Sequence, residues 1–98
     1  METVRVVVVE VRPTLASPEA DHYAGAFISI YTTASSESAA LRIAAVEVAD
    51  AGWLLLSVEN AYCLTRDEAE ATPEAHPYYE QALIDGVVLV FDTYPHGG

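Results

Sequence analysis

The feature that most constrains the fold is a run of valines near the start of the chain. The run comprises Val4, Val6, Val7, Val8, Val9 and Val11. Because β-branched side chains favour the extended backbone, it predicts a first strand over Thr3–Arg12. Alternation places valines on both faces of that strand. A strand that is apolar on both faces is typical of a sheet interior covered on two sides.

The rest of the chain divides into alternating strand-like and helix-like segments. Ser35 or Ser36 is a suitable N-cap for a helix that runs to about Ala51, and Gly52 is a suitable stop. Residue types and spacing predict further strands over Tyr23–Thr33, Trp53–Thr65 and Val87–Asp92, the second of them with a bulge or bend near Asn60. They also predict a short second helix over Tyr78–Ile84 and loops over Thr14–His22 and Arg66–Pro77.

These segments predict a single α+β domain over residues 1–98, in the order β-β-α-β-α-β. The first two strands are expected to form a hairpin. The second and third are expected to lie parallel, joined by a right-handed crossover. The resulting fold is a two-layer sandwich, ferredoxin-like in general style, with a mixed four-stranded sheet and two helices on one face.

The charge balance restricts the partners of the chain. It has 15 Asp and Glu residues, four Arg, no Lys and a net charge of −11. Such a charge opposes binding to nucleic acids and to anionic membranes, so neither is expected as a partner. Acidity serves solubility in many proteins, but it also suits a basic protein partner or mimicry of a nucleic acid's charge.

The single cysteine, Cys63, permits no intramolecular disulfide and favours a reducing compartment. The first residues lack a basic start, and Val4–Val9 is too short for a signal-peptide core or a membrane span. We therefore expect a cytoplasmic protein. Since Cys63 lies in an apolar strand, we also expect it to be buried and unreactive.

Catalytic and cofactor motifs do not emerge from the sequence. The three histidines lack metal-site spacing, no glycine-rich phosphate loop exists, and no serine lies in a nucleophile elbow. We therefore expect no catalytic residue, no metal and no cofactor. The alternative is a small-molecule-binding or enzymatic domain with a pocket between helices and sheet. Its polar residues would include Asp92, Tyr31, Tyr94 and His22.

Two groups of side chains predict a protein-binding surface. Tyr23, Phe27 and Tyr31 share one face of the second strand, and tyrosine is enriched at interfaces. Glu68, Glu70 and Glu74 lie in the predicted acidic loop. The sequence thus favours a non-enzymatic interaction module that binds a basic protein or a second copy of itself. Packing of the aromatic residues at the edge of the core remains an equal explanation.

The stretch from Tyr79 to Gly86, which follows the pattern YxQAxxDG, comes directly before the last predicted strand. With the segments Gly25–Tyr31, Ser35–Leu41 and Ala51–Trp53, it resembles small bacterial proteins of unknown function over most of residues 23–95. The resemblance implies no catalytic or binding residues. In size and acidity the chain is also comparable to toxin-neutralising immunity proteins, an analogy that does not depend on fold.

Overall fold

The computed structural model describes residues 3–15 and 17–96, without the side chains of residues 18 and 19. It is an α+β fold in which the elements follow the chain as β1 (Thr3–Pro13), a 3₁₀ turn (Pro18–Asp21), β2 (Gly25–Thr32), α1 (Glu37–Asp50), β3 (Trp53–Thr65), α2 (Arg66–Glu70), α3 (His76–Asp85) and β4 (Val87–Tyr94).

The four strands form one open sheet in the order β3-β1-β2-β4, and every neighbouring pair is antiparallel. The β1–β2 hairpin confirms the prediction, with Val8 opposite Ser29. The mixed sheet and the parallel pairing of β2 with β3 were wrong predictions. β3 returns to the free side of β1, so α1 connects two strands that are not neighbours.

Strand β1 lies inside the sheet and is covered on both faces, as its valines predict. One side, which we call the α1 face, packs against α1 through residues that include Val7, Val9 and Ile28. The other side, which we call the α3 face, packs against α2 and α3 through Val4 and Val6. The prediction of two helices on one face was therefore wrong. A single layer of helices would leave half of the β1 valines in water.

Helix α1 begins and ends close to the predicted positions. The Ser36 side chain accepts a hydrogen bond from the Ala39 N–H at 3.1 Å, which satisfies one of the free amides of the first turn. Ala40, Ala44 and Val48 form its buried stripe. The small alanines allow the helix axis to lie close to the sheet.

The segment predicted as an acidic loop contains α2 and the start of α3. Thr65 and Glu68 form a reciprocal capping box, in which each side chain accepts a hydrogen bond from the other residue's backbone N–H. Arg66 joins the two helices, since its guanidinium lies 3.2 Å from the Glu80 carboxylate. α3 ends at Gly86, which adopts the left-handed conformation with φ 86°.

Tyr79 is the largest completely buried side chain, and it anchors α3 to the sheet. We expect Tyr79→Ala to lower the free energy of unfolding by about 3–5 kcal/mol, the usual cost of emptying a large aromatic site. Equilibrium unfolding in urea measures this loss.

The matched control is Ile84→Ala on the same helix, because Ile84 is 76% exposed. Its effect should lie within about 0.5 kcal/mol of zero. Equal losses in the two variants would contradict the packing of α3 described above.

Candidate interaction surface

The outer side of β3 is the most conspicuous surface of the molecule. β3 pairs only with β1, so the backbone N–H and C=O groups on its other side have no strand partner within the described residues. At 13 residues it is also the longest strand described. A long open edge of this kind is a template for the addition of another strand.

Large apolar side chains are exposed along this edge strand. They are Leu54, Leu55, Leu56, Val58 and Tyr62, each between 38% and 51% exposed. Only the two ends of the strand are well buried, through Trp53 on the α1 face and Leu64 on the α3 face. Between these ends, the apolar side chains of β3 are only partly covered. Single exposed apolar residues are common on protein surfaces, but five of them on one edge strand make this strand a candidate interaction surface.

Most of the devices that protect edge strands from pairing are absent from β3. It has no lysine and no proline, and its one charged residue is Glu59. It does contain two irregularities, where the register with β1 shifts between Val8 and Val9 and between Glu10 and Val11. The first of these confirms the bulge predicted near Asn60. From Asn60 to Thr65 the ladder is regular.

Cys63 lies in this regular part and is exposed. The prediction that it is buried was therefore wrong. Its strand is apolar, but an edge strand leaves apolar side chains in water because no further strand covers them.

The three aromatic residues predicted as one surface are placed in three different environments. Tyr31 is buried under α3, where its ring centroid lies 5.6 Å from that of Tyr78. Burial raises the pKa of Tyr31, and Tyr62 and Tyr78 add smaller contributions. Tyr23 packs beside the core of the α1 face. Phe27 alone is exposed on the α3 face, so the three do not form a single patch.

The acidic residues predicted to meet a partner have different roles. Glu68 belongs to the capping box, and its hydrogen bonds to the backbone and side chain of Thr65 lower its pKa. Glu70 and Glu74 are exposed, at the end of α2 and in the turn that follows it. Only these two of the three carboxylates therefore face solvent without a capping role.

Tyr94 lies beside Phe27 at the uncovered end of the α3 face, with ring centroids 5.9 Å apart. Its hydroxyl donates a hydrogen bond of 2.8 Å to the Glu10 carboxylate. The ring fits because residue 25 is glycine. A Cβ atom there would meet the Tyr94 hydroxyl and lie 2.6 Å from the Val11 carbonyl oxygen.

A shallow cavity of about 370 Å³ lies nearby, at the C-terminal end of β1. Its walls include Arg12, Leu15, Tyr23, Leu54 and His96. The His96 ring nitrogen lies 2.8 Å from the Ala20 carbonyl oxygen, which links the C-terminal segment to the 3₁₀ turn. The alternative prediction placed a pocket between helices and sheet.

The residues suggested for that pocket do not line this cavity. They were Asp92, Tyr31, Tyr94 and His22. Arg12, which sequence reasoning did not single out, is the cationic group in its wall.

Residues 3–15 and 17–96 contain neither a metal-binding cluster nor a membrane-spanning helix. No group of three His, Cys, Asp or Glu side chains is arranged there to hold a metal ion. No helix in the same residues combines the length and apolar character needed to cross a membrane.

No protein-family model, curated protein or solved structure matches this chain. Functional proposals for it therefore depend on its own geometry.

The Tyr94–Glu10 hydrogen bond predicts a measurable change in tyrosine ionisation. The bond raises the pKa of Tyr94, because ionisation would place the phenolate beside a carboxylate. The bond therefore stabilises the fold below the ordinary pKa of tyrosine, and this contribution is lost as the pH rises through the raised value. We expect Glu10→Gln to shift the Tyr94 titration to lower pH.

Tyrosinate absorbance during an alkaline titration measures this shift, with Tyr94→Phe used to assign the signal. If the Glu10→Gln variant titrates like the unaltered protein, the hydrogen bond does not form in solution.

Proposed function

We propose that this protein is a non-enzymatic protein-interaction module that binds its partner along the outer edge of β3. The observation that carries the proposal is the row of exposed apolar side chains, Leu54 to Tyr62, on a long edge strand with one charge. The partner supplies an extended segment that continues the sheet beyond β3.

Strand addition explains why an apolar edge is useful rather than harmful. The backbone groups of the added strand provide hydrogen bonds, and its side chains cover the exposed leucines, Val58 and Tyr62. Burying apolar area contributes about 25 cal/mol per Å², whereas exposed salt bridges contribute little. The apolar edge therefore supplies most of the affinity.

The acidic surface acts at longer range. With a net charge of −11, the chain attracts a basic partner from a distance. The exposed Glu70 and Glu74 lie at the end of α2 and in the turn after it, in the segment that follows β3. An immunity-type protein that blocks a basic toxin is the most specific form of this proposal. Such a complex would weaken as the salt concentration rises.

Capture of partners from a lysate of the native host, at low and high salt, tests the role of β3. Other copies of this chain count as partners in this assay. We expect Val58→Glu and Leu56→Glu to lose the captured protein, because each places a carboxylate where an apolar strand must pack. Thermal unfolding of each variant verifies that it folds.

Ile84→Glu is the matched control, since it makes the same change of charge at an exposed apolar residue of α3. It should capture the same partner as the unaltered chain. Retention of the partner by both β3 variants would show that the binding surface lies elsewhere.

A second candidate function, small-molecule binding, is favoured by the cavity beside Arg12. The volume of about 370 Å³ is at the lower end of the range for ligand pockets. Its apolar residues and its guanidinium suit a small carboxylate with an apolar body.

Thermal unfolding in the presence of a panel of such carboxylates tests this function. A ligand at about 100 times its dissociation constant adds about 2.7 kcal/mol of stability. We expect this gain to disappear in Arg12→Gln. If no carboxylate raises the unfolding temperature of the unaltered protein, the cavity is not a binding site for this class.

A further inference from the structure

We propose that the strand which covers β3 is the β3 of a second copy of this chain, paired antiparallel about a two-fold axis. The inference rests on the β3 binding edge proposed above, and it places a second copy there in place of a basic partner. The product is a closed dimer with a continuous eight-stranded antiparallel sheet.

The distribution of charge selects β3 as the place where two copies meet. Two chains with a net charge of −11 repel each other over most of their surfaces. Of the 15 carboxylate side chains, β3 carries only Glu59. The Ser57 hydroxyl donates a hydrogen bond of 2.7 Å to that carboxylate. The outer edge of β3 is therefore a long surface on which two copies approach with little repulsion.

The same distribution argues against a basic protein as the occupant of this edge. A basic segment would place its cations beside leucines, Val58 and Tyr62, and Glu59 alone could pair with them. Desolvating unpaired cations is costly. An uncharged, apolar strand is the chemically matched occupant, and β3 is itself such a strand.

Symmetry provides a second argument for self-pairing. Two copies of one strand related by a two-fold axis perpendicular to the sheet run antiparallel, the arrangement already present between all neighbouring strands. β3 exposes apolar side chains on both of its faces, with Leu55 paired to Val11 on the α1 face and Tyr62 paired to Val6 on the α3 face. Each face of the second copy therefore meets an apolar counterpart.

The size of the edge limits the area that two copies can bury. Because two of its 13 residues are taken up by the register irregularities, β3 spans the 11 residues of β1, a length of about 36 Å. With a sheet about 10 Å thick, the contact strip covers roughly 400 Å² on each copy. Side chains projecting above and below the sheet bring the total near the lower limit of about 1,000 Å² for a specific interface. We therefore expect a reversible dimer.

Sedimentation equilibrium of the purified full chain over a range of concentrations tests the proposal. The unaltered protein should be a dimer at high concentration. Its affinity should increase between about 0.1 M and about 1 M salt, because screening reduces the repulsion between two acidic chains. A complex with a basic partner would show the opposite dependence.

Val58→Glu tests whether the two copies meet at β3, because the two-fold axis places one new carboxylate from each copy in the interface. We expect its dimer dissociation constant to rise by roughly tenfold or more. Ile84→Glu, on the helix that covers β2 and β4, should dimerise like the unaltered chain. Amides of β3 should exchange more slowly with solvent as the protein concentration rises, but not in the Val58→Glu variant.

Two results would overturn the proposal: a monomer at every concentration and salt tested, or an unchanged dimer in Val58→Glu. If the chain is monomeric but Val58→Glu still loses a captured protein, the proposed function stands and the second copy is not its partner. If the unchanged dimer and the captured protein both persist in Val58→Glu, both proposals fail.

Discussion

The pairing of β1 with two strands, while helices cover both of its faces, is the constraint on which the rest of the structure depends. Because valines lie on both of its faces, neither face can remain in water, and β2 and β3 pair with its two edges. α1 must therefore lie on one side of the sheet, and α2 with α3 on the other. β3 and β4 are the outer strands, because β1 pairs with β3 on one edge and with β2 on the other, and β4 pairs with the remaining edge of β2.

This arrangement explains why so acidic a protein has an apolar edge strand. Of the two outer strands, β3 is the longer, and the apolar side chains in its middle are exposed. Among the described residues, most of the other carboxylates lie in helices and turns. In the proposed dimer, the high net charge and the exposed apolar edge have separate roles. Charge keeps most surfaces of the protein apart from one another, and the edge is the place where contact remains favourable.

Much of the local structure could be predicted from residue types, and the sequence holds one further signal, for α2, that the predictions did not use. The cap at Ser36, the β3 bounds and the stop at Gly86 follow from propensity and backbone preference. Thr65 and Glu68 fit the capping-box spacing, a signal that could have identified α2. The candidate site was harder to predict. Tyr31 and Phe27 have the same alternation in β2, yet α3 covers one and leaves the other exposed.

The sequence by itself determined that the chain forms strands and helices in a particular order and that β1 needs cover on both faces, because these properties depend on neighbouring residues and on side-chain period. Only the tertiary structure decided that β3 returns to the free side of β1, that the helices divide between two faces and that Leu54 to Tyr62 remain in water. The physical reason is that strands pair through backbone groups which every residue carries. The same apolar strand therefore fits the centre of a sheet or its edge, and the packing of the whole chain selects between them.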